Sequence, residues 1–242
     1  MIEPLHVLAM LGAGVVAAYV NVVAGGGSLL LIPLLTALGA TASVANGSIR
    51  LAIVVQGIAA LWAFRGTHKL DRQIALGLVP AVAGAALGAL IIVARPDDEV
   101  RRILGGVILF AACLAAIRPK TQTGTYKLWL LIPGAAIAGL YGGLVQAGVG
   151  YFFLVVATWA GAMDLSRANY AKVVWTTAYS PIALLVFARS GTVDWSSASI
   201  LAVGSAIGAV IGAKAAMRGG TRFLRWMILA AATAGGLNLV LG

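Results

Sequence analysis

The chain has 242 residues, of which 61% are hydrophobic and only 10% charged, with a mean hydropathy of +1.00. Soluble globular domains carry roughly 25% charged residues, so a soluble globule is excluded and an all-α polytopic membrane protein is expected, a single transmembrane domain over residues 1–242. The formal charge is +10, from 17 Lys+Arg against seven Asp+Glu, with two histidines, His6 and His68, and the single Cys113. That inventory excludes an intramolecular disulfide and offers no Cys/His set for a metal, so neither a metal nor a cofactor is expected.

A helix needs roughly 20 apolar residues to cross the hydrocarbon core. The chain opens with 35 uncharged residues, Pro4 to Leu38, interrupted by Gly25-Gly26-Gly27. This is too long for one span and reads as two helices joined at a break. Spanning helices are then expected over Ala42–Phe64, Gln73–Ala94 and Arg101–Ile117. The next apolar stretch, Lys127 to Ala162, holds a helix over Lys127–Ala147 and a second break at Gly148-Val149-Gly150. Three more spans follow over Ser166–Phe187, Trp195–Ala216 and Thr221–Leu241. The start has Glu3 in place of a basic stretch, and its apolar run exceeds signal-peptide length, so no cleaved signal is expected. Trp62, Trp129, Trp195 and Trp226 fall near helix ends, where interfacial anchors belong.

The two breaks are part of a duplication. A shift of 123 residues aligns Ala24-Gly25-x-Gly27 with Ala147-Gly148-x-Gly150, Ser43-x-Ala45-Asn46 with Ser166-x-Ala168-Asn169, and Phe64 with Phe187. A shift of 124 aligns Gly84 and Gly88 with Gly208 and Gly212, and Arg101 with Arg225. Two homologous halves follow, about 4–118 and about 127–242. Each holds a glycine-broken helical hairpin plus three transmembrane helices, an arrangement common in transporters. Gly84/Gly88, Gly139/Gly143 and Gly208/Gly212 have the small-xxx-small spacing of close helix contacts.

Positive charge decides how the halves are oriented. If each broken segment crosses once, the loops on the two sides carry seven and ten cations. If each goes in and returns, twelve cations collect on one side and five on the other. The five are Arg50, Arg95, Arg101, Arg102 and Arg189, balanced by acids; Lys172 counts among the twelve. The second arrangement makes the halves an inverted repeat and puts both termini outside the cytoplasm of a cell whose plasma membrane the protein crosses.

Broken helices leave backbone groups that lipid cannot satisfy, so they are buried or line a polar cavity. A helix that starts at a break directs N–H groups and partial positive charge at whatever sits there, which favours an anion. The candidate substrate-binding residues are therefore Gly25, Gly26, Gly27 and Ser28 at the first break, and Gly148, Gly150 and Tyr151 at the second. To these are added Asn46 with Arg50 and Asn169 with Lys172, a paired asparagine and a cation about one turn later in each half. Arg and Asn donors suit an oxyanion. The alternative is that both cations snorkel to the interface. Gln56, Thr176, Thr177, Tyr179 and Ser180 are further polar groups in apolar spans, and Pro181 can bend its helix.

The glycine breaks, the run Gly25-Gly26-Gly27-Ser28 to Pro33 and the polar segment Ala42–Arg50 give a chain that resembles the TauE/SafE family of membrane transporters, also called the sulfite exporter or toluene-sulfonate uptake permease family. The second half departs from the fuller pattern, with Val149 at the middle glycine and Val156 at the place of Pro33. The resemblance implies secondary transport of small anions, including sulfite and organosulfonates. An anion channel or an integral subunit without a substrate is the alternative. An intramembrane enzyme is not expected, because the spans offer neither buried His nor paired carboxylates. No nucleic-acid partner is expected either, since the cations are spread over short loops. The partners are a small anionic substrate and the lipid bilayer, and small-residue faces leave room for a homodimer.

Overall fold

The computed structural model describes residues 4–116 and 125–218. In chain order these form α1 (Pro4–Ala24), a 3-10 turn (Gly27–Leu30) leading into α2 (Leu31–Ala37), α3 (Ala42–Phe64), α4 (Arg72–Val93) and α5 (Asp97–Ala116). After residue 124 come α6 (Leu128–Leu144), α7 (Val149–Val155) continued by a π turn (Val156–Ala160), α8 (Leu165–Arg189) and α9 (Trp195–Arg218). The described residues contain no strand. Among the described residues five helices are long and apolar enough to cross a membrane: Pro4–Ala24, Ala42–Phe64, Arg72–Val93, Leu165–Arg189 and Trp195–Met217. The expected span Thr221–Leu241, Trp226 and the far end of repeat 2 lie outside the described residues.

Two expected helices have different ends. α5 starts at Asp97 and not Arg101, because Asp97, Asp98 and Glu99 fill its first turn and acids suit the positive end of the helix dipole. α6 stops at Leu144 and not Ala147, because the backbone around Gln146 is drawn into side-chain bonds described below.

Helix starts are set by side-chain caps. The Thr41 hydroxyl accepts from Val44 N–H, and Asp164 accepts from Ser166 and Arg167 N–H. Asp71 accepts from Gln73 and Ile74 N–H, and Asp194 from Ser196 and Ser197 N–H. Thr41 and Asp164, like Asp71 and Asp194, stand 123 residues apart, in the register of the glycine breaks. Asp71 also accepts from Arg167, at 2.6 Å from Nη2, tying the start of α4 to the start of α8. Burial alone would raise this carboxyl, but the Ile74 N–H and the Arg167 guanidinium hold it below the usual aspartate range.

Small residues let the helices approach closely, as membrane packing without a hydrophobic drive requires. A methyl group on Gly204, Gly208 or Gly212 of α9 would strike Leu11, Val15 or Tyr19 of α1 in turn. One on Gly84 or Gly88 of α4 would strike Ala136 or Leu140 of α6, and Gly139 and Gly143 of α6 answer by facing Ala81 and Ala85. Since both numbers rise together, α1 runs parallel to α9 and α4 parallel to α6. The expected glycine pairs are packing contacts. On the neighbouring face of α9, Val203, Ile207 and Ile211 stand at least half exposed, an apolar stripe suited to lipid.

Two further contacts give the remaining directions. Ser48 Oγ accepts from Asp194 N–H at the starts of α3 and α9, while Ala60 and Phe64 cluster with Ala209 and Ala213 near their far ends. Arg167 meets Asp71 at the starts of α8 and α4, and Gly77 makes room for the Trp175 ring further along. The Asp97 carboxylate, just beyond α4, accepts from Ser43 N–H at the start of α3 at 2.8 Å, so α4 runs back along α3. Thus α1, α3 and α9 point one way and α4, α6 and α8 the other. Trp62, Trp129 and Trp195 are all more than half exposed, as anchors at the interface would be.

Candidate functional site

The breaks after α1 and α6 meet in the interior. Gly25 (φ +89) and Gly148 (φ +75) both adopt the left-handed backbone conformation, which costs other L-residues roughly 1–2 kcal/mol. Gly25 touches Gly150 backbone to backbone: a Cβ on Gly150 would lie 2.6 Å from Gly25 Cα, and one on Gly25 would lie 2.9 Å from Gly150 C. Gly26 is covered by the Tyr151 ring, and Gly27 turns back onto Ala17 and Asn21 of α1. The Ser28 hydroxyl donates to Gln146 O at 3.0 Å and accepts from Gly148 N–H at 3.3 Å. It therefore fastens one break to the other.

Arg50 is fully buried, and its position on α3 aims it at the end of α6. Nη1 donates to Gly142 O and to Gln146 Oε1, Nη2 to Gly143 O and Asn46 Oδ1, and Nε to Asn46 O. Those are all five guanidinium N–H groups. Phe187 lies against the cation, 4.6 Å from Cζ to the ring centroid. Asn46 Nδ2 donates to Leu144 O at 2.8 Å. Arg50 and Asn46 together close the C-terminal carbonyls of α6, the negative end of that helix.

Lys172 does the corresponding job for α1. Its Nζ donates to Asn21 O at 2.8 Å and Val22 O at 3.1 Å, with 3% of the residue exposed. Asn21 and Leu144 are 123 residues apart, so an amide in one half and an ammonium in the other close the same carbonyl position. Both cations thus lie deep inside, and snorkelling to the interface is ruled out for the physical reason that neither head reaches a surface. Lys172 accordingly leaves the loop tally of twelve cations, and Arg50 the tally of five.

The two cations differ in what remains free. An ammonium has three N–H groups, and two of those on Lys172 are used. Lys172 lines a cavity of about 20 Å³, shared with Gln56, Gly150, Thr176 and Thr177, enough for about one water. Gln56 is 4% exposed and makes no hydrogen bond with a described residue. The Thr176 and Thr177 hydroxyls donate within α8, to Lys172 O and Val173 O, and keep their oxygens free to accept. Asn169 is buried with its Oδ1 unpaired, unlike its counterpart Asn46. A larger open hollow along Tyr126, Lys127 and Trp129 does not touch the breaks.

Gln146 and Asn21 are the residues that the sequence reading missed. Gln146 is wholly buried and joins Arg50, Ser28 and the Tyr179 hydroxyl, the last at 2.9 Å. Its signal was a polar side chain two residues before a glycine break. That of Asn21 was the same, four residues before Gly25. Among the described residues no group of His, Cys, Asp and Glu could hold a metal ion.

The profile described as Sulfite exporter TauE/SafE matches residues 10–239, nearly the whole chain. The chain belongs to this family. Its relatives bear transporter names. It is 28% identical to the probable membrane transporter protein ORF9 of Sinorhizobium sp, over 97% of this chain and 93% of that one. It is 26% identical to the probable membrane transporter protein YfcA of Escherichia coli K12, over 95% and 87%, and equally so to YjnA of Bacillus subtilis 168, over 93% and 96%. No solved structure gives a significant match. As a family member with five helices fit to span a bilayer, the protein is a membrane transporter.

Proposed function

We propose that the protein is a secondary transporter that moves a small anion, sulfite or an organosulfonate, across the plasma membrane by alternating access. The observation that carries this reading is the meeting of Gly25 and Gly150 beside a buried cation, Lys172, that has a donor to spare and no carboxylate partner among the described residues. Charge buried in a membrane protein is costly and marks a pathway or a site, and an anion is the natural counter-charge. The family's printed description, a sulfite exporter, supports the substrate class.

The two halves form an inverted repeat. In support, α1 and α3 run opposite to their counterparts α6 and α8, and α4 opposite to α9. The parallel pair α1/α9 repeats as α6/α4, and caps and glycine breaks recur at one spacing of 123 residues. Such a pair of halves rocking about a central site is a common form of alternating access. The ends of α3 and α9 with the starts of α4, α6 and α8 gather Arg65, Lys69, Arg72, Lys127, Arg167, Lys214 and Arg218, and this face is cytoplasmic. Reporter fusions at Gly66 and Glu99 will accordingly report inside and outside, and the reverse pattern would overturn the orientation.

The test of function is counterflow of labelled sulfite or p-toluenesulfonate in proteoliposomes. The expected result is exchange above that of protein-free vesicles, reduced at least tenfold in Lys172→Gln of equal abundance. No exchange of either anion by the wild-type protein would defeat the reading.

A further inference from the structure

The seven carboxylates of this chain are Glu3, Asp71, Asp97, Asp98, Glu99, Asp164 and Asp194. Among the described residues none of these lines the wall around Lys172, whose other polar side chains are Asn21, Gln56, Thr176 and Thr177, all without a titratable group. The titratable and charged groups on the helices packed there are engaged elsewhere. Tyr19 of α1 stands by Gly212, Arg50 of α3 is closed by α6, and Tyr151 of α7 covers Gly26. On α8, Tyr170 stacks near Phe64 and His68, Tyr179 donates to Gln146, Arg167 pairs with Asp71, and Arg189 stands at the far end. His6 lies in the first turn of α1.

We infer that Lys172 is the proton-coupling group of the transporter, charged when the anion is bound and neutral when the site is empty. This rests on the transport reading above and names its coupling ion. A buried cation must be paired or lose its charge. Arg50 solves that problem permanently with five acceptors, and a guanidinium does not deprotonate in proteins. Lys172 has only two carbonyl acceptors among the described residues, which leaves its third N–H unused beside the cavity that the residue lines. A neutral amine keeps two N–H groups, so Asn21 O and Val22 O stay satisfied in either state. Only the third position changes, from a donor that holds an anion to a lone pair that holds a water. The Gln56 amide, buried in the same wall and without a hydrogen-bond partner among the described residues, supplies the second donor to the anion. One proton enters from water on the side where the anion binds, resides on Lys172 Nζ during the crossing, and returns to water where the anion leaves. The loaded and empty sites are both neutral, so the cycle is one proton with one anion.

The probe is p-toluenesulfonate, which stays ionised throughout the working pH range and therefore brings no proton of its own. Proteoliposomes are first tested for counterflow at equal pH. Failure at that stage counts against the transporter reading, not the coupling. With counterflow present, an outside medium one pH unit more acidic will drive accumulation to a steady-state ratio of about 10, the tenfold factor that one proton per anion supplies. Addition of the sulfonate without an imposed gradient will acidify an internal pH dye. In Lys172→Arg the flux will fall. The steady-state ratio, a thermodynamic quantity that a slower carrier leaves unchanged, will return to 1, since the guanidinium keeps its proton. Wild-type counterflow without accumulation or acidification would overturn the inference, as would accumulation near tenfold in Lys172→Arg. If the variant carries no flux, the wild-type dye measurement decides alone.

Discussion

Arg50→Ala will lower the unfolding temperature of the purified protein by about 6–20 °C, whether or not any substrate is present. Five hydrogen bonds disappear together, and the groups left behind are the Gly142 and Gly143 carbonyls, the Gln146 side chain and both oxygens of Asn46. Breaking a buried charge network from one side costs about 3–5 kcal/mol, and each 1 kcal/mol shifts the midpoint of a chain this size by roughly 2–4 °C. Arg50→Lys keeps the charge but offers three donors where five are used. It cannot span Gly142, Gly143, Gln146 and Asn46 at once, so its midpoint will fall between those of alanine and wild type. A thermal melt of Arg50→Ala that overlays the wild type would show that the end of α6 does not depend on this clamp.

The second large effect is expected where the breaks touch. Gly150→Ala drives a methyl to 2.6 Å from Gly25 Cα, and Gly25→Ala adds a positive φ to a collision with the Gly150 backbone. Overpacking costs about 1–3 kcal/mol and the left-handed conformation about 1–2 kcal/mol more. Gly25→Ala should therefore be the more damaging, at about 2–5 kcal/mol. Gly39→Ala supplies the control, because Gly39 has φ +94 with nothing within 4 Å of its missing Cβ. It will pay the backbone cost alone. The double variant Gly25→Ala/Gly150→Ala will cost less than the sum of its parts, since a single contact is lost twice. Thermal melts in detergent measure all four, and strict additivity would mean that the two glycines do not meet.

These predictions separate residues that looked alike in the linear chain. The common spacing of Gly25/Gly148 and Asn46/Asn169 is legible because glycine in the left-handed conformation and asparagine in an apolar span have few substitutes. The caps in the same register escaped notice because Thr41 and Asp164 do one job with different chemistry. The same is true of Asn46 and Lys172, which close equivalent carbonyls with different donors. The Ser28 hydroxyl, a candidate substrate donor in the sequence, spans the two breaks. Gly27, at the start of the 3-10 turn, packs on Ala17 and Asn21 of α1.

Hydropathy, length and the placement of Lys and Arg follow from one-dimensional constraints, because a bilayer imposes its thickness and its charge asymmetry on any chain that crosses it. On that basis the sequence alone determined a helical membrane protein, showed a glycine break early in each half of the chain, and marked Arg50 and Lys172 as cations with an unusual setting. Which of the two is closed off could be decided only by the tertiary structure. Residues 142–146 come to rest around Arg50, whereas Lys172 receives Asn21 and Val22 and then an open cavity wall. A hydrogen bond depends on a partner within about 3 Å, and partners roughly 90 to 150 positions away along the chain are brought there by packing alone.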